Sequence, residues 1–266
     1  MFTERNAATR PGAGAAPNPW VTIPRPEARA DVRLFCFPYA GGGAYVFREW
    51  PEGLSASAEL CLINLPGRGA RLKEAPFTQL APLVETLAGV LAPYLDRPFA
   101  FFGHSMGALI GFETARELRR RGAPAPSHLF VSGRNAPHVP ADTEPLHDLP
   151  EPQLIEKLRY LDGTPREVLE HAELMQLMLP ILRADFAVCE TYRYAAEPPL
   201  ACPISAFGGL QDHDITRENL QAWAAQTAAA FTLRMLQGGH FFIHTARPLL
   251  LGVIAQELQR FARAAV

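Results

Sequence analysis

The stretch that most restricts what this chain can fold into is Phe99-Ala100-Phe101-Phe102-Gly103-His104-Ser105-Met106-Gly107-Ala108-Leu109-Ile110. An apolar, strand-like run ends at Gly103, and a helical pattern begins just after Ser105. Between them lies a G-x-S-x-G turn, which holds a serine at the end of a strand in a strained, exposed conformation. Gly103 and Gly107 have no Cβ, so strand and helix can close around that residue. Ser105 then stands at a helix N-terminus, where free N–H groups and the helix dipole favour developing negative charge. The pentapeptide alone can arise by chance; the strand before it and the helix after it supply the context it needs.

The rest of the chain repeats that alternation. Residues 32–37 read as a buried strand followed by Pro38-Tyr39-Ala40-Gly41-Gly42-Gly43, and residues 60–65 as a second strand followed by Pro66-Gly67-Arg68-Gly69. Helical spacing of Leu80, Leu83, Val84, Leu87, Val90, Leu91 and Tyr94 predicts a helix over 79–94, with Thr78 as N-cap and Pro82 in the first turn. The helix from Met106 is expected to run to about Arg121 and close at Gly122, its last-turn Arg119-Arg120-Arg121 complementing the dipole. A strand at 128–133 follows. Residues 134–199 hold no good strand but three helical patterns, near 151–161, 165–179 and 181–194, which read as a helical lid inserted above a sheet or as a helical pair packed into the core. Strand 204–207, helix 218–230, strand 231–236 and a closing helix 248–263 complete the pattern. Strands alternating with helices predict an α/β fold, with a mainly parallel sheet and helices on both faces.

Composition narrows the function classes. The 266 residues suffice for one large domain, and a formal net charge of −2 gives no electrostatic case for nucleic acid or an anionic membrane. No apolar run approaches the roughly 18–20 residues that span a bilayer. Residues 1–30 are expected to form a disordered leader, with the folded domain at 31–266. Four scattered cysteines, Cys36, Cys61, Cys189 and Cys202, read as buried free thiols of a cytoplasmic protein. The triple glycine lacks the Lys-Ser/Thr of a P-loop, and G-x-G-x-x-G is absent, so no nucleotide cofactor is expected.

A serine hydroxyl needs a neutral imidazole as base and an acid to fix the imidazole tautomer, and in α/β-hydrolases these follow in the order Ser, Asp/Glu, His on loops after late strands. Both late loops carry the required type. Gly208-Gly209-Leu210-Gln211-Asp212-His213-Asp214 offers two acids, of which Asp212 in a G-x-x-D turn is favoured over Asp214 beside the next helix. Gly238-Gly239-His240-Phe241-Phe242-Ile243-His244 offers His240 directly after a strand, with His244 as its rival. His240 and His244 lack the H-E-x-x-H pattern or third ligand of a metal site, so no metal is expected. His104 and His213 are expected to tune the site. For an oxyanion the backbone N–H groups of Met106 and Ala40 are the candidates.

Phe37-Pro38-Tyr39-Ala40-Gly41-Gly42-Gly43, Leu65-Pro66-Gly67-Arg68, Gly103-His104-Ser105-Met106-Gly107, Leu182-Arg183-Ala184-Asp185 with Glu190-Thr191-Tyr192, and Gly238-Gly239-His240-Phe241-Phe242 together resemble the type II thioesterases. These are the stand-alone editing hydrolases of polyketide synthases and nonribosomal peptide synthetases. The resemblance runs from about Val32 to Arg263. It implies the α/β-hydrolase fold, a Ser105, Asp212, His240 triad, Ala40 and Met106 as oxyanion amides, and the insertion as a mobile lid. It further implies hydrolysis of acyl thioesters from the phosphopantetheine arm of acyl or peptidyl carrier proteins, without cofactor; a monomer is expected. A product-releasing thioesterase or carboxylesterase, and an inactive hydrolase-fold binding protein, are the other readings.

Overall fold

The computed structural model describes residues 18–54, 58–140, 144–161, 163 and 166–264. Seven strands form one sheet: β1 (Val21–Thr22), β2 (Val32–Phe37), β3 (Ala58–Ile63), β4 (Phe99–His104), β5 (His128–Ser132), β6 (Ile204–Gly209) and β7 (Phe231–Leu236). Their order is β1-β3-β2-β4-β5-β6-β7, and every pairing is parallel except β1 with β3. The apolar runs of β2, β4, β5 and β6 are buried along their whole length, as strands covered on both faces must be.

Helices α1 (Leu80–Leu91) and α2 (Met106–Arg120) cover one face, over a core that includes Phe35, Phe101, Leu109 and Leu129. The closing helix α8 (Arg247–Ala264) and two short helical turns at Ala44–Phe47 and Trp50–Glu52 cover the other, over Phe47, Trp50, Phe102 and Phe130. Between β5 and β6 stand α3 (Glu151–Leu161), α4 (Arg166–Leu169) and α5 (Ala172–Glu190), which share a separate apolar cluster of Leu154, Leu158, Leu169, Met175, Leu179 and Leu182. After β6 come α6 (Arg217–Gln221), and after β7 the single turn α7 (Phe242–Thr245).

Most predicted elements appear within a residue or two, and the differences have local causes. Of the expected leader, residues 1–17 lie outside the described residues, but residues 18–30 are part of the folded domain. β1 pairs Val21 with Ile63, Asn64 N–H donates to Trp20 O at 2.8 Å, and the Arg71 guanidinium lies 3.8 Å from the Trp20 ring centroid. The N-cap of α1 is Gln79, not Thr78. The patterns expected at 165–179 and 181–194 divide elsewhere: the first is split into α4 and the start of α5 at Ala172, and α5 then runs through Pro180 to Glu190. The helix expected over 218–230 is α6 followed by a 3-10 segment, Ala222–Gln226. At the end of α2, Gly122 has φ +64°, Gly122 N–H bonds to Arg119 O and Ala123 N–H to Leu118 O, a Schellman cap. The three arginines there engage side chains and distant backbone. Arg119 and Arg120 pair with Glu197, Arg120 and Arg121 with Glu117, and Arg121 also reaches Glu85 O. All four cysteines are free thiols. Among the described residues no helix is long and apolar enough to cross a membrane.

Candidate active site

Ser105 links β4 to α2 at φ 52°, ψ −114°, and among the described residues no other non-glycine has a positive φ. A side chain held there costs on the order of 1–3 kcal/mol. The turn is locked by Ser105 N–H to Ser132 O at 2.7 Å, across from the end of β5. A methyl on Gly103 would lie 2.1 Å from Gly107 O, and one on Gly107 would lie 2.1 Å from Phe37 O, so both positions exclude any side chain. Met106, the first residue of α2, carries its N–H at the helix N-terminus beside Ser105.

The loop after β2 approaches the same turn. Gly42 N–H donates to Tyr39 O at 2.9 Å and Gly41 N–H to Asp185 Oδ2 at 2.8 Å; these bonds do not engage Ala40 N–H. The Tyr39 ring packs edge-on against His104 and Phe241, and its hydroxyl is 3.2 Å from His244 Nε2. Burial, and then the Arg247 cation, lower the pKa of His244, so a neutral ring can accept a hydrogen bond from the Tyr39 hydroxyl.

The loops after β6 and β7 are zipped together. Leu210 N–H bonds to Leu236 O at 2.8 Å and Gln211 N–H to Gly238 O at 2.9 Å. His240 Nδ1 lies 2.7 Å from Asp212 Oδ2. The other carboxylate oxygen accepts the N–H groups of Asp214 and Ile215, each at 3.1 Å. Burial alone would raise the Asp212 pKa, but the His240 hydrogen bond, the His240 charge and the two backbone donors outweigh it and hold the carboxyl below its usual range. The Asp212 side chain is 1% exposed, whereas Asp214 is exposed and its backbone serves Asp212. An ionised acceptor at Nδ1 fixes the imidazole with its proton there, leaving Nε2 as the basic nitrogen.

The His240 ring is 5.1 Å, centroid to centroid, from that of His104, the residue before Ser105. His104 is fully buried, with Nδ1 2.9 Å from Ser132 Oγ. Burial, then the neighbouring His240 and His244, hold its pKa well below the ordinary histidine value, so it is a neutral support behind the site. His213 is exposed. The structure therefore brings Asp212 and His240 into contact and sets them beside the Ser105 turn, with Ala40 on the loop after β2 and Met106 at the start of α2. Among the described residues no group of three or more His, Cys, Asp or Glu is placed to hold a metal ion.

Sequence reasoning missed Tyr39 and His244 as a tie between the two loops, and Arg68 with Asp185 as an ion pair. Asp185 did leave a signal. It sits on a buried face of α5 with Ile181, Leu182, Ala184, Ala187 and Val188, where a carboxylate requires a partner.

The family model described as "Thioesterase domain" matches residues 32–258. The chain is 47% identical over 249 residues to linear gramicidin dehydrogenase LgrE of Brevibacillus parabrevis, a match covering 92% of this chain and 95% of that protein. That relative has a dehydrogenase's name, but G-x-G-x-x-G does not occur in the present sequence. Among solved structures it is similar to RedJ, a thioesterase from the prodiginine biosynthetic pathway in Streptomyces coelicolor. The TM-score is 0.83 at 42% identity, covering 96% of this chain and 100% of RedJ. It is also similar to the type II thioesterase BorB from the borrelidin biosynthetic cluster, with TM-score 0.84, 36% identity, and coverage of 92% of this chain and 100% of BorB.

Proposed function

The chain belongs to the thioesterase-domain family, and from that footing we propose that it is a stand-alone type II thioesterase serving a polyketide or nonribosomal peptide synthase. It removes stalled or wrongly primed acyl groups from phosphopantetheinyl carrier proteins. The observation that carries the catalytic reading is the 2.7 Å bond between His240 and buried Asp212, set beside the strained Ser105 turn.

In this reading His240 Nε2 takes the Ser105 proton as Oγ attacks the thioester carbonyl, and Asp212 stabilises the imidazolium. The N–H groups of Met106 and Ala40 receive the oxyanion, each such donor being worth on the order of 10²–10³ in turnover. The thiol of the carrier arm leaves with the proton from His240, and an acyl-Ser105 ester remains. Water, deprotonated by the same His240, releases the free acid and restores the serine. The helical insertion is the lid over this reaction. Leu182 and Met178 of α5 lie against Gly41, and Phe241 beside His240 packs against Gly163. An apolar cover of this kind discriminates weakly among short acyl chains, at about 1–3 kcal/mol per methylene, which suits an editor of many substrates. The protein is proposed to act as a cytoplasmic monomer.

Mass spectrometry of carrier proteins loaded with different acyl groups tests the reading. Short acyl groups are expected to be cleared fastest. Faster release of full-length product, or of plain esters, would instead mark a product-releasing thioesterase or a carboxylesterase.

A further inference from the structure

Three consecutive glycines make a poor support for an amide that must hold a fixed direction, because glycine leaves the backbone free. The loop at 38–43 is instead fixed from outside. Arg68 and Asp185, 117 positions apart in the chain, form a buried two-pronged ion pair, Nη1 to Oδ2 at 2.6 Å and Nη2 to Oδ1 at 2.7 Å. Their side chains are 9% and 4% exposed. Both partners also hold the glycine loop. Asp185 Oδ2 accepts Gly41 N–H at 2.8 Å, and Arg68 Nη1 donates to Gly42 O at 3.0 Å. Arg68 Nε donates to Pro66 O at 3.3 Å, tying the arginine to its own turn.

The consequence for Ala40 follows from peptide planarity. Tyr39 C=O and Ala40 N–H belong to one rigid plane and point in opposite directions. Gly42 N–H, bonded to Tyr39 O, sets that plane, and the Arg68–Asp185 pair sets the planes on both sides of Gly42 N–H.

We propose that Arg68 and Asp185 are positioning residues that splint the glycine loop and so aim Ala40 N–H at the oxyanion. The proposal rests on Ala40 N–H being an oxyanion donor, as argued above. Because Asp185 stands on α5, the helical insertion supplies half of the splint and the body of the domain the other half. Leu182, one turn earlier on α5, fills the space where a Gly41 side chain would stand, 2.7 Å from that position. The insertion therefore acts on the chemistry as well as covering it.

The full chain is compared with Arg68→Lys and with the double variant Arg68→Met/Asp185→Leu. The substrate is a short acyl thioester of a pantetheine analogue, and a fluorophosphonate counts reactive Ser105. Apolar side chains of similar volume commonly replace a buried ion pair without loss of stability, so the double variant removes the bonds to the loop and keeps the fold. Its kcat per labelled serine is expected to fall about 10–100-fold, with KM within about threefold. The pH profile is expected to keep its shape, since Asp212 and His240 are untouched. Arg68→Lys keeps the charge but loses the fork, and its kcat is expected between the two. An active wild type with a double variant whose kcat per labelled serine is unchanged, or whose loss lies in KM, overturns the splint alone. A wild type inert to both thioester and probe overturns the thioesterase reading and the splint with it. Should the double variant fail to fold, Arg68→Lys decides on the same ratio: a kcat equal to wild type overturns the splint, and a lower kcat at constant KM supports it.

Discussion

Ser105 occupies a backbone conformation that glycine reaches freely and serine does not. Ser105→Gly is therefore expected to raise stability by about 1 kcal/mol while abolishing turnover, because it relieves strain and removes the proposed nucleophile. Ser105→Ala should abolish turnover without the gain, since its Cβ keeps the strain. Denaturant melts of the two variants beside wild type check the pair. For the acid, Asp212→Asn is expected to lower kcat by about 10⁴-fold through loss of the imidazole tautomer. Asp214→Asn should leave kcat within about twofold, as an exposed side chain whose neighbour carries the pairing. The serine could be read from the sequence because its turn is local, a strand, two glycines and a helix within a dozen residues. The choice between Asp212 and Asp214 was harder. Both types fit the loop, and what separates them is which one the folded loop turns inward and supplies with backbone donors.

Helix α5 shows both what the pattern of apolar residues conveys and what it omits. Its two halves are visible as separate helical patterns on either side of residue 180, and the helix passes through Pro180. Packing of Leu179, Ile181 and Leu182 on both sides of the proline holds the segment helical against the missing hydrogen bond. Pro180→Ala is expected to raise the melting temperature, by the equivalent of about 1 kcal/mol or more, because it restores an N–H donor and removes the ring's clash with the preceding turn. Calorimetry reads the change. Pairings across long sequence separations were not legible. Arg68 sits in a turn and Asp185 on a helix, and nothing in either neighbourhood names the other. The arginines ending α2 were legible as a cationic last turn, yet Glu197, the partner of Arg119 and Arg120, belongs to a segment that only the fold brings near.

At the scale of the molecule, two buried neutral histidines make stability depend on pH. His128, stacked on Phe130 and bonded to Ser205 Oγ at 2.8 Å, is pushed down to about 4 by burial, and His104 is lowered in the same direction. Above pH 6.5 both are neutral folded or unfolded. Below it the unfolded chain takes up protons that the folded one refuses, so stability falls as pH drops from about 6.5 toward 4. For His128 alone the loss by pH 4 is on the order of 3 kcal/mol. Denaturation midpoints between pH 7 and 4 should fall less steeply in His128→Gln than in wild type, and parallel curves would count against this account. Asp212, whose carboxyl is depressed, adds its own loss only at lower pH, as its folded-state value is passed.

The sheet ends, on the side of β3, in a strip of chain two residues long, with Val21 and Thr22 laid against Ile63 and Leu62. Small as it is, that strip closes part of a row of backbone donors and acceptors that would otherwise invite pairing with another molecule. A chain trimmed to begin at residue 31 would keep every proposed catalytic group and lose this border guard, so its failing would be stickiness rather than inactivity.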